Sequence, residues 1–164
     1  MGKDCEKHNE NVYFQCRKRQ AVNNENLVSR ERAAELIGIS ASTLSDYELG
    51  VTKVVPPDKV DVMADVYGCP ELRNYYCKNE CPIGKHMVLA TEVSSLEGIA
   101  LRLLRELDID TITDLEKNLI RISSDGVVDK SEEDMLEMIL KRLDDVMFAI
   151  SELKLIGERV LKDR

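Results

Sequence analysis

The chain has 164 residues, enough for one domain or two small ones. A 43% hydrophobic content supports packed cores and excludes global disorder, while 4% aromatics and no Trp favour aliphatic helix packing over a sheet sandwich. The net charge of −8 weighs against a uniformly basic nucleic-acid binder, yet it is uneven: residues 1–86 carry twelve basic and thirteen acidic side chains, residues 87–164 eleven and eighteen. A first half near neutrality still leaves room for one basic face. No apolar run reaches the length of a bilayer span, and the start lacks the apolar stretch of a secretory signal. The expected setting is therefore the cytoplasm, with no membrane partner. Five cysteines cannot all pair within one chain, and reduced thiols are expected.

Residues 1–10 are polar. The run Glu10 to Cys16 looks like a protease site used in expression tags, but Val12, Tyr13, Cys16 and Ala21 share a helical side and the native-helix reading is preferred. After the polar break Asn23–Asn26, Ser29 caps a helix over Arg30–Ile37, and Gly38 stops it. Ser40 caps the next, Ala41–Glu48, which ends near Gly50. Pro56-Pro57-Asp58 opens a helix running from Lys59 to Tyr67 and closing at Gly68, and a fifth short helix starts at Pro70. Residues 82–93 read as a linker. The second half reads as three helices, striped by Leu96, Ile99, Leu103 and Leu107, then by Leu115, Leu119 and Ile122, then by a long helix from after Ser131 to Leu161. No two-residue alternation persists, so no sheet is expected.

Two short capped helices joined by a glycine turn are the physical content of a helix-turn-helix. The first braces on the DNA backbone and the second reads bases from the major groove. Ser29 through Gly50, SRERAAELIGISASTLSDYELG, resembles the core of the phage-repressor or xenobiotic-response-element family of helix-turn-helix regulators. The matching features are Ala34, the turn glycine Gly38, the Ile39-Ser40 step, Leu44, and the Tyr47-Glu48-x-Gly50 ending. The stretch Asn74 to Gly84 is similar to a branch found in Firmicutes that carries an extra helical C-terminal region. The resemblance covers about residues 11–80 and implies a five-helix DNA-binding domain. It implies Ala41, Ser42 and Asp46 as base readers, Ser40, Thr43 and Arg30 as phosphate or outer contacts, and Thr52 and Lys53 as a backbone-contacting loop. Arg17, Lys18, Arg19, Arg32 and Lys59 would add attraction to phosphate. The family often carries Arg, Gln, Lys or Asn at the base-reading positions. Ala41 offers only a methyl, Ser42 reads little alone, and Asp46 repels phosphate.

Other signals are weaker. Cys69, Cys77, Cys81 and His86 offer zinc-type donors, but their spacing is not that of a known finger, and plain thiols without bound metal are expected. Residues 121–132 echo a calcium loop, with Gly126 sixth and Glu132 twelfth, but Arg121 stands where the first carboxylate belongs. A turn before a Ser131 helix cap explains the stretch better. No catalytic constellation appears, so the reading is not an enzyme and has no cofactor. In the last helix Leu136, Leu143, Ile150 and Gly157 recur every seven residues, as do Ile139, Val146, Leu153 and Val160. Leu140, Met147 and Leu161 widen the stripe. It serves either an internal bundle or a dimer seam.

The sequence thus predicts an all-α protein, with a DNA-binding domain over 11–81 and a helical region over 94–162 for self-association or sensing. It predicts a transcription regulator that binds double-stranded DNA as a homodimer. The dimer contacts are Leu136, Ile139, Leu143, Val146, Ile150 and Leu153. The rival reading is a protein-interaction module whose helix-turn-helix has lost DNA.

Overall fold

The computed structural model describes residues 10–123 and 126–162. Eight α-helices and no strand occur among them. They are α1 (Val12–Gln20), α2 (Arg30–Ile37), α3 (Ala41–Glu48), α4 (Pro57–Val66), α5 (Glu71–Asn79), α6 (Leu96–Glu106), α7 (Ile109–Ile122) and α8 (Glu133–Lys162). No described helix is long and apolar enough to cross a membrane. Ser124 and Asp125, part of the calcium-loop echo, lie outside the described residues.

The chain forms two compact units. One holds the described residues up to Met87 together with the last turn of α8 from Glu158; the other is Val88–Gly157. The division falls within the linker read from sequence, although residues 88–93 pack with the second unit and Ala90 is fully buried.

In the first unit, five helices close around Leu27, Ala34, Leu44, Val60, Met63, Tyr67 and Leu72. The local grammar is explicit. Asn11 caps α1, its side-chain oxygen accepting from the Tyr13 and Phe14 amides, and its amide nitrogen donates to the Tyr47 carbonyl at the end of α3. One side chain thus ties the start of one helix to the end of another. The predicted Lys59–Tyr67 helix begins earlier, at Pro57, because proline is preorganised for a first turn. After α5 the chain packs on itself, and Gly84 lies so near the Cys77 backbone that a Cβ would sit 2.3 Å from its carbonyl oxygen. Glycine is required there by close approach.

The second unit contrasts with this. Its buried apolar residues are Ala90, Ile99, Ile122, Ile139, Ala149 and Leu155. Two buried glutamates sit among them. Glu152 pairs with Arg102 and accepts from Ser94 Oγ at 2.8 Å, and Glu106 pairs with Arg105 at 2.7 Å and Arg142 at 2.9 Å. Meanwhile Leu101, Leu104, Ile109 and Ile120 are 62–79% exposed. The predicted stripes are only half inward, since Leu96, Leu107 and Leu119 also face solvent. The predicted Ser131 cap is corrected. Instead the Asp129 carboxylate accepts from the Ser131 and Glu132 amides at 2.7 and 3.2 Å, in the turn that leads into α8.

Candidate nucleic-acid interface

The sequence folds α2 and α3 into their relation through three local devices. Ser29 Oγ accepts from the Arg32 amide at the start of α2. Gly38 ends α2 at φ 73°, in the left-handed region, and the Ile39 amide returns to the Ala34 carbonyl at 3.0 Å. Ser40 Oγ then accepts from the Thr43 amide at 3.0 Å and opens α3. Leu44, Tyr47 and Glu48 form the inner face of α3, while Ser42 and Asp46 are exposed and Ala41, Thr43 and Ser45 half-buried. Of the predicted base-reading residues, Ala41 is half-buried and packs against the core, while Ser42 and Asp46 share the accessible side. The Ser40 and Thr43 hydroxyls stand together at its N-terminal end, 2.8 Å apart. That end also presents the positive pole of the helix.

The loop after α3 keeps Lys53 exposed and Thr52 half-buried. The Val51 and Thr52 amides fold back on the Asp46 carbonyl at 2.9 and 3.3 Å, so the loop is anchored to the helix it follows.

Arg17 is a correction. Its side chain is 2% exposed, with Nε 2.5 Å and Nη2 2.9 Å from the two oxygens of the fully buried Glu48, and Nη1 donating to the Leu27 carbonyl at 2.8 Å. Enclosed in this way it is not presented to phosphate. Arg30 shares the same carboxylate, its Nε 2.9 Å from Glu48 Oε2, but remains half-buried at the surface. Glu48 therefore holds two arginines of the predicted basic set. Arg19 is committed to Glu71. Lys59 lies 3.8 Å from Asp58. Arg32 and Lys53 are exposed and have no ion-pair partner among the described residues.

The residues sequence reasoning missed are Glu48 and Asn11. Glu48 is an acid in the Tyr-Glu-x-Gly ending of α3, and its partner in α1 lies 31 positions away. Asn11 carried a local signal, an amide side chain directly before a helix, that could have been read as a cap. The zinc-type donors weighed in the sequence, Cys69, Cys77, Cys81 and His86, form no three-donor group among the described residues. Among the described residues the three-donor cluster is Cys16, Cys69 and Glu71, without Cys77, Cys81 or His86.

Residues 17–74 match a family described as a helix-turn-helix domain. The match begins within α1, spans α2 to α4, ends within α5, and includes none of the second unit. No curated protein and no solved structure matches the chain. The N-terminal part is thus a helix-turn-helix domain.

Proposed function

We propose that this protein is a sequence-specific DNA-binding transcription regulator of the phage-repressor type, acting as a homodimer in the cytoplasm. The observation that carries the reading is the outward row on α3. Ser42 and Asp46 are presented on a helix whose other side is locked by Leu44, Tyr47 and Glu48, with Ala41 half-buried at its start, on a domain matching the helix-turn-helix family. Arg30, Arg32 and Lys53 supply the accessible cations for phosphate, with Ser40, Thr43 and Thr52 as polar neighbours.

The homodimer reading rests on α8. The six residues predicted as dimer contacts lie along one stripe of the helix but differ in burial. Ile139 is buried within its own unit and serves the internal bundle; Leu136 and Val146 are half-buried; Leu143, Ile150 and Leu153 are exposed. Leu140, Leu143, Met147 and Ile150 then make an exposed row at 3-4-3 spacing, the spacing of a helix-on-helix seam. A second copy covers such a row by symmetry, because the same surface meets itself.

A second reading has one specific observation in its favour. Glu48 absorbs Arg17 and engages Arg30, and Asp46 faces outward, so the positive potential of the interface is thin. That arrangement suits a helix-turn-helix that binds protein.

The deciding experiment is duplex binding by fluorescence anisotropy over a range of salt. On the DNA reading Lys53→Ala weakens binding to every sequence and lowers the salt slope by about 1, while Asp46→Asn tightens binding severalfold by removing a repulsive charge. Absence of duplex binding at low salt by wild type and by the Asp46→Asn protein would decide for the protein-interaction reading.

A further inference from the structure

Two buried cysteines in the first unit have no part in the interface described above. Cys16 lies in the middle of α1. Cys69 lies at the corner between α4 and α5, where its amide returns to the Ala64 carbonyl at 2.9 Å. Both thiols are free and almost wholly enclosed. Their sulfurs and a Glu71 carboxylate oxygen lie within 4.8 Å of one another. Arg19, one helical turn after Cys16, reaches over the pair. Its Nη2 is 3.0 Å from Cys69 Sγ and 3.6 Å from Cys16 Sγ, and it also bonds Glu71. The Arg19 side chain is more than half exposed, so the sulfurs lie one side chain below the surface.

We infer that Cys16 and Cys69 are a redox-active dithiol that closes to an intramolecular disulfide when hydrogen peroxide is the oxidant. The geometry gives the two sulfurs different roles. Cys69 receives a hydrogen bond from the Cys16 thiol and a second from the Arg19 guanidinium, and these outweigh burial and bring it down to about 7. The hydrogen bond to Cys69 and burial push Cys16 up, so it stays a thiol. A thiolate beside an arginine is the form that attacks a peroxide. Cys69 Sγ attacks one peroxide oxygen; the S–O bond forms, the O–O bond breaks, and the departing hydroxide takes a proton to become water. Cys69 is then a sulfenic acid. Cys16 Sγ attacks that sulfur; the S–S bond forms, the S–O bond breaks, and the second hydroxide leaves with the Cys16 proton as water. Two thiols are oxidised and one peroxide is reduced to two waters.

The product ties α1 to the α4–α5 corner across 53 positions of chain. Closing so long a loop restrains the unfolded chain, so the oxidised protein should melt at a higher temperature. Oxidation also removes the thiolate from Arg19, leaving that guanidinium with Glu71 alone. Glu71 keeps a second cation, Arg159, at 2.8 Å.

The test is peroxide titration of the reduced full chain, followed by mass spectrometry of the intact protein and its peptides. The expected result is loss of two hydrogens and a Cys16–Cys69 cross-linked peptide, formed before any link involving Cys77 or Cys81. Cys16→Ser should stop the reaction at a sulfenic acid trapped by dimedone, Cys69→Ser should abolish it, and Arg19→Gln should slow it about tenfold. Should a variant fail to fold, wild type equilibrated in glutathione buffers reads the same point. A Cys16–Cys69 pair that stays reduced where Cys77 and Cys81 oxidise would overturn the inference. So would an Arg19→Gln protein that reacts at the wild-type rate, or stoichiometric zinc on these thiols in freshly purified protein.

Discussion

The two units solve the problem of burial differently. The first encloses Leu27, Leu44, Met63, Tyr67 and Leu72 completely and spends its buried charges on each other, Arg17 on Glu48. The second buries Glu106 and Glu152 against arginines and leaves Leu101, Leu104, Ile109, Leu140 and Met147 in solvent. Exposed aliphatic surface of this kind suits contact with another molecule. The contrast teaches that enclosure is more complete in the first unit, although Val22, Val51 and Ile83 are exposed there, and on the proposed reading the second unit is completed by association. On that reading, fuller enclosure belongs to the DNA reader and the exposed surface to the pairing device.

The first way to break the comparison is to spoil the more enclosed unit. Glu48→Ala leaves the Arg17 guanidinium enclosed without its counter-charge, and urea unfolding should show a loss of about 4 kcal/mol. Arg30 also loses its partner, so the surface part of the loss will be small. A loss under 1 kcal/mol would mean the ion pair is not what holds α1 to α3.

The second unit should fail differently. Leu143→Asp places a charge in the proposed seam, at a residue that is 39% exposed, and leaves the buried Ile139, Ala149 and Leu155 in place. Dimerisation should weaken about a thousandfold, ~4 kcal/mol at most, with little change in helix content. Sedimentation equilibrium separates that outcome from unfolding. If the full chain sediments as a monomer before the substitution, the exposed row has another purpose.

Two smaller effects sharpen the account of the first unit. Gly38→Ala meets no atom within 4 Å, so its cost should be the left-handed backbone alone, about 1 kcal/mol in a thermal melt. A much larger loss would point to a steric clash in the turn. Tyr67 has a buried hydroxyl with no hydrogen-bond partner among the described residues. Tyr67→Phe should therefore stabilise the unit by up to about 1 kcal/mol, and a loss instead would show that the hydroxyl is satisfied in solution.

What the sequence showed follows from how far each cause reaches along the chain. Ser29, Gly38 and Ser40 act on amides within three or four residues, so the helix pair was readable with its boundaries. Arg17 was misread because its fate is set by Glu48, 31 residues later, and a cation on a polar helix otherwise reads as solvated. The dithiol was invisible for the same reason, since Cys16 and Cys69 are joined only by the fold. On α8 the seven-residue repeat was legible, but not which positions along its stripe the second unit would cover. Ile139 is buried and Leu143 is 39% exposed, although a spacing of four residues places both on one face of the helix.

The most direct test of the division of labour is the affinity of a labelled duplex for the full chain and for residues 1–86, compared at two salt concentrations. The account predicts steep salt dependence for both, with two full chains bound per duplex. It predicts much weaker binding by the fragment, because two linked half-sites supply affinity that one lacks. Equal affinity of fragment and full chain would show that the second unit does not pair the readers, and no binding by either at low salt would contradict the DNA-binding claim itself.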